Sequence, residues 1–164
     1  GGFLYEKDQN ADALKKIFLN QKLEKKDFIL IYTFKLRDKG GKEYVRVLDD
    51  LCKRFRSDYL SKEIALNRKD NAEVFSMLLK TAFLAEILTN ANANSYVPTF
   101  YAPVRYVSGR SNSMIYFYTE LRYQGGILAS HDINGFKNIL EMQVLKLKGN
   151  QMETHVKPND LIRR

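Results

Sequence analysis

The sequence predicts an α+β fold: a mainly antiparallel sheet with about four helices, one of them a central buried helix over 71–89. Three observations carry that expectation. The apolar period switches between helical and alternating along the chain, without the regular strand-helix-strand alternation of a parallel sheet. Turn-forming clusters at 38–42 and 149–150 separate alternating runs at hairpin distance. One stretch, through Ala72, Phe75, Leu78, Leu79, Ala82, Phe83 and Ile87, leaves only Glu73, Ser76 and Lys80 plainly polar, the pattern of a helix covered on most sides.

Taken in order, Asn10 is placed to cap a helix running to about Leu23. Leu14, Ile17, Phe18 and Gln21 form its inner stripe, and Lys15, Lys16, Lys22 and Lys25 lie on its wet side. Residues 28–37 alternate, with Phe28, Leu30, Tyr32, Phe34 and Leu36 on one side and Ile29, Ile31, Thr33, Lys35 and Arg37 on the other. A turn at 38–42 returns the chain into 43–48, where Val45 and Val47 share a face, so the two runs read as a hairpin. Asp49 or Asp50 opens a second helix with Leu51, Phe55 and Tyr59 inward, its acidic start suited to the helix dipole. Asp70 or Asn71 opens the central one, and the Asn-rich stretch 90–95 reads as a loop.

From Tyr96 the period becomes two. Residues 96–107 are extended, but Pro98 and Pro103 argue for an edge or irregular strand. After a loop at 108–113, residues 114–123 form the clearest strand in the chain, turned by Gly125 and Gly126. A short strand near 127–129, a helix from Asp132 through Ile133, Phe136, Ile139 and Leu140, and a final hairpin of 141–148 with 151–157 complete the reading.

Length and composition agree with one globular domain over residues 1–164. The chain has 164 residues, 45% apolar and 28% charged, with 9 Gly, 3 Pro and 1 Cys, which excludes intrinsic disorder, collagen and a disulfide scaffold. Gly1-Gly2 reads as an appended dipeptide and the abrupt end at Arg163-Arg164 as a cut from a longer protein. The most apolar stretch, 74–88, carries Lys80 and Glu86 and is shorter than the roughly 20 residues a bilayer requires, so no membrane is expected as a partner. The lone Cys52 and the lack of a visible secretory signal point to a reducing compartment, cytoplasm or nucleus.

Net charge is +8. Residues 1–80 hold 18 Lys/Arg against 13 Asp/Glu and residues 81–164 hold 9 against 6, so the excess spreads over the whole domain and favours polyanions. On 114–123, Ile115, Phe117 and Leu121 face one way and Tyr116, Tyr118, Glu120 and Arg122 the other. If 96–107 pairs beside it, its odd positions add Tyr101 and Arg105. Tyrosine rings stack unpaired bases while arginines hold phosphates, with Arg110 in the loop clamping the backbone. A second basic set comprises Lys35, Arg37, Lys39, Lys42 and Arg46 on the first hairpin and Lys53, Arg54 and Arg56 on the following helix, placed to straddle a phosphate backbone. Asp38, Glu43, Asp49 and Asp50 are interleaved there and cancel part of the field.

The expectation is therefore a module that binds nucleic acid, RNA or DNA, single-stranded or structured, through a Tyr/Arg sheet face and flanking basic residues. The alternative is a protein-interaction or oligomerisation domain in which the same tyrosines and arginines form an interface core. A metal-dependent nuclease on Asp49 and Asp50 ranks third, since N-capping explains that pair more simply. No catalytic residue, cofactor or metal site is expected. Two histidines, His131 and His155, and one cysteine supply no zinc ligand set, and the adjacent Ser130, His131 and Asp132 cannot converge on one atom as a triad. No glycine-rich phosphate loop occurs.

Overall fold

The computed structural model describes residues 9–36, 71–108, 112–126, 133–148 and 151–156. The first helix, α1 (Gln9–Glu24), buries Leu14 and Phe18 and half-buries Ile17 and Gln21, the stripe the spacing predicts. It begins at Gln9, one residue before Asn10, so Asn10 lies inside the first turn and not ahead of it as a cap. Lys25, in the left-handed region at φ 53°, ends the helix, its N–H donating to the Lys22 carbonyl. The chain then enters β1 (Phe28–Lys35).

The central helix α2 (Asn71–Ala93) is buried throughout its middle, but it outruns the expected end at residue 89. The Asn-rich stretch is helical as far as Ala93 because its side chains bond back onto the helix. Asn90 Nδ2 donates to the Glu86 carbonyl at 2.8 Å and Asn94 Nδ2 to the Asn90 carbonyl at 2.7 Å, while Ala91 packs into the core. A composition that signals a loop here caps a helix from within.

Five further strands follow: β2 (Tyr96–Phe100), β3 (Val104–Ser108), β4 (Asn112–Tyr123), β5 (Val144–Lys148) and β6 (Gln151–Val156). β4 is the organising strand. One of its edges pairs antiparallel with β1, and the other pairs antiparallel with β2 and β3, which lie end to end. The sheet is therefore five strands wide, in the order β1-β4-β3-β5-β6 with β2 beside β4. It is mixed: β3 and β5 run parallel. After β4 the chain crosses through α3 (Ile133–Glu141) to the free edge of β3, and that crossover returns β5 in the direction of β3. The described residues contain three helices. The fourth expected helix, opening at Asp49 or Asp50, lies outside them, as do the 43–48 strand and the 127–129 strand.

The irregular strand expected from the prolines is a strand broken at 101–103. Its first half tolerates Pro98 because β4 is the only strand paired with it among the described residues. Its second half is interior, flanked by β4 and β5, so an edge position does not describe it. The break also changes which residues face the helices. Tyr96 and Pro98 pair with Tyr123 and Leu121, whereas beyond it Arg105 pairs with the buried Ile115.

All three helices pack on one face of the sheet. Leu14 and Phe18 of α1, residues 77–91 of α2 and Phe136, Ile139 and Leu140 of α3 close over Leu30, Phe34, Tyr96, Ile115, Phe117, Leu121 and Val144. Phe83 is the hub, with ring centroids 4.9 Å from Phe34, 4.8 Å from Phe117 and 5.2 Å from Tyr32. A second cluster joins Phe18, Phe28, Tyr96 and Tyr123, and the Tyr96 hydroxyl donates to the Lys26 carbonyl at 2.9 Å. Lys80 projects from α2 into this core, fully buried, and its Nζ donates to the carbonyls of Ile139 and Leu140 at the C-terminal end of α3. No described helix is long and apolar enough to cross a membrane.

Candidate functional site

Strand alternation sends every second residue of the sheet away from the helices, and register fixes which ones meet. Five residues of β4 head five transverse rows on this second face. Arg122 lies beside Val97; Glu120 lies between Ile29 and Thr99; Tyr118 lies beside Ile31; Tyr116 lies between Thr33 and Val104; Met114 lies between Lys35 and Tyr106. Tyr101, in the break between β2 and β3, completes the Tyr118 row, the two rings meeting edge to face at 5.4 Å and 74°. Leu145 of β5 extends the Tyr116 row through its pairing with Val104. Rows are about 6.7 Å apart, two residues of strand rise.

No described element covers this face. Tyr116 and Tyr118 are half-buried, Tyr101 is 46% exposed, and Ile29 and Ile31 are 55% and 56% exposed. The centre is aromatic and apolar, and charge sits at its ends. Lys35 stands at one end. At the other, Asp27, Glu120 and Arg122 join Ile29, Val97 and Thr99 around a pocket of about 560 Å³. Asp27 Oδ1 accepts the Tyr123 N–H at 2.8 Å, while Glu120 Oε1 meets the Tyr118 hydroxyl at 3.4 Å. Desolvation, and after it the Glu120 carboxylate, holds the Tyr118 hydroxyl above the ordinary tyrosine pKa.

Of the residues singled out by sequence, Tyr101, Tyr116, Tyr118, Arg122 and Lys35 share this face. Arg105 does not. The break at 101–103 reverses the alternation, so Arg105 pairs with Ile115 on the helix side and its Nε donates to Ser113 Oγ at 2.8 Å. Tyr106, which the odd-position rule assigned to the other side, takes a place on the open face. Arg37, Lys39, Lys42, Arg46, Lys53, Arg54, Arg56 and Arg110 lie outside the described residues, as do Asp49, Asp50, Cys52 and His131. Among the described residues no three His, Cys, Asp or Glu side chains gather as metal ligands.

Sequence reasoning missed Tyr106, Val97, Thr99 and the pocket. The signal was present in Pro103, which marks where the strand breaks, but one proline does not say by how many residues the register slips. Comparison of the chain with protein-family models, with curated proteins and with solved structures finds no match in any of the three. No relative lends this surface a function, and its chemistry stands alone.

Proposed function

We propose that this chain is a basic nucleic-acid-binding module that takes single-stranded or structured nucleic acid on the open face of its sheet. The observation that supports it best is the group of tyrosines Tyr101, Tyr106, Tyr116 and Tyr118 on a face that no described helix covers, in a chain of net charge +8. Bases stack on the rings, which tolerate any base because each has a π face. Arg122 and Lys35 at the two ends hold phosphates, joined by Arg110 and by the basic residues between Arg37 and Arg56, whose contribution is sequence-independent.

The test is a salt titration of binding to a fluorescent single strand, with wild type and with the Tyr116→Ala/Tyr118→Ala double variant. Wild type is expected to bind at low salt and to weaken steeply as salt rises. The double variant is expected to lose about 1–3 kcal/mol for each ring that stacks a base. Absence of binding by wild type at low salt would refute the reading.

One observation favours a second reading. Ile29 and Ile31, each more than half exposed, continue the tyrosine patch to the β1 side, and a contiguous apolar patch suits a protein interface. In that case the face buries itself against a protein or a second copy of the chain. Association by sedimentation would then be insensitive to salt, and Ile31→Lys would abolish it.

A further inference from the structure

Glu120 stands where a phosphate-binding surface should not have a carboxylate. It lies on the open face one row from Tyr118, and the adjoining pocket holds a second carboxylate, Asp27, so that end of the face repels a phosphate everywhere except at Arg122. Asp27 Oδ1 is already engaged by the Tyr123 backbone, whereas Glu120 is exposed and its one described contact, from the Tyr118 hydroxyl, is long at 3.4 Å. Glu120 is therefore the carboxylate of this pocket better placed to offer both of its oxygens to a ligand, one oxygen of Asp27 being taken. Ile29 and Val97 supply apolar walls, and a volume of about 560 Å³ lies within the range of small-molecule pockets.

We infer that the rim of this pocket next to Tyr118 selects guanine: a base lying over Tyr118 turns its Watson–Crick edge to Glu120 on the pocket wall, and Arg122, one row further, takes the adjoining phosphate. The inference rests on the nucleic-acid reading above and adds a base identity to it. Guanine presents N1–H and N2–H side by side, two parallel donors that match the two oxygens of one carboxylate. Adenine offers an acceptor nitrogen at the corresponding position. Uracil flanks its single N–H with two carbonyl oxygens, and cytosine offers only its exocyclic amine beside an acceptor. Against a carboxylate each of these three loses a hydrogen bond or gains a repulsion. The row spacing of about 6.7 Å puts the reading group beside the stacking group, as recognition of a splayed-out base requires.

The experiment measures anisotropy of short labelled uridine oligonucleotides carrying one central guanine, adenine or cytosine, or none, with the full chain at low and physiological salt. The guanine oligonucleotide is expected to bind about 10-fold more tightly than the other three at both salts. In Glu120→Gln that preference is expected to collapse to within about 2-fold, with a gain for adenine, whose edge an amide pairs. Glu120 is exposed, so the variant keeps its fold, which its circular dichroism and urea midpoint verify. Equal binding of all four by wild type, or guanine preference surviving in Glu120→Gln, overturns the inference and leaves stacking in place. Failure of all four to bind at low salt refutes the nucleic-acid reading, and this inference with it.

Discussion

Both faces of the sheet carry aromatic rings, and they differ in what lies over those rings among the described residues. On the helix side Phe34, Phe117 and Tyr96 are fully buried, their rings meeting others edge to face, and the Tyr96 hydroxyl is spent on a backbone carbonyl. On the other side Tyr101 and Tyr118 make the same ring contact, but over it lies no described element. Aromatic content therefore does not mark a core; cover does. The covered face holds the fold together, and no described element packs on the other.

The widest separation between the faces is expected in urea unfolding. Phe83→Ala empties the hub of the aromatic core and is expected to cost about 3–5 kcal/mol. Tyr118→Ala, on the open face, is expected to cost less than about 1 kcal/mol. Equal losses would mean that something covers the open face as well.

Lys80 supplies the next largest effect, and it too belongs to the covered side. Burial lowers its pKa from 10.5 to about 7, although the carbonyl end of α3 favours its charge. A neutral amine has two N–H groups for the two carbonyls, so both donors of the deprotonated form are satisfied in place. Between pH 7 and 10.5 the unfolded chain holds this proton and the folded chain does not, so stability rises with pH across that window, by about 1.4 kcal/mol per pH unit. Below pH 7 both states are protonated and the contribution is lost. Above pH 10 the buried Tyr96 and the half-buried Tyr32, whose pKa values burial raises, work in the opposite direction. Urea midpoints between pH 7 and 10 are expected to climb in wild type and to stay level in Lys80→Met. A wild-type profile flat over that range would show that Lys80 keeps its charge inside the core.

These contrasts also show what the sequence could convey. Period alone placed α1, β1, β4 and α3 and divided β4 into its two faces, because alternation is a local property that burial enforces residue by residue. It failed where one residue decides a long-range outcome. The end of α2 turned on asparagines bonding backward within the helix, a contact their composition does not distinguish from a loop. The misplacement of Arg105 turned on the slip at 101–103, which moved every later residue of that strand to the other face. The parallel β3/β5 pair depends on where α3 delivers the chain, which no local pattern records. Of the candidate site, the β4 contribution was legible and that of β2 and β3 only in part.

The smallest expected effect tests the contrast at its finest grain, with one threonine on each face. Thr119 is fully buried on β4, and its Oγ1 is enclosed without a hydrogen-bond partner. Thr99, one strand away, is exposed. Replacing threonine by valine exchanges a hydroxyl for a methyl group of similar size and keeps the β-branched preference for strand, so what changes is the desolvation of one polar group. At Thr119 the folded protein already bears that penalty without a compensating bond, and Thr119→Val is expected to stabilise by about 1 kcal/mol. At Thr99 water satisfies the hydroxyl in both states, and Thr99→Val is expected to change stability by less than about 0.5 kcal/mol. Urea midpoints of the two variants read the difference directly. A loss of stability in Thr119→Val would mean that the hydroxyl has a partner in solution, and the covered face would then be less dry than its packing implies.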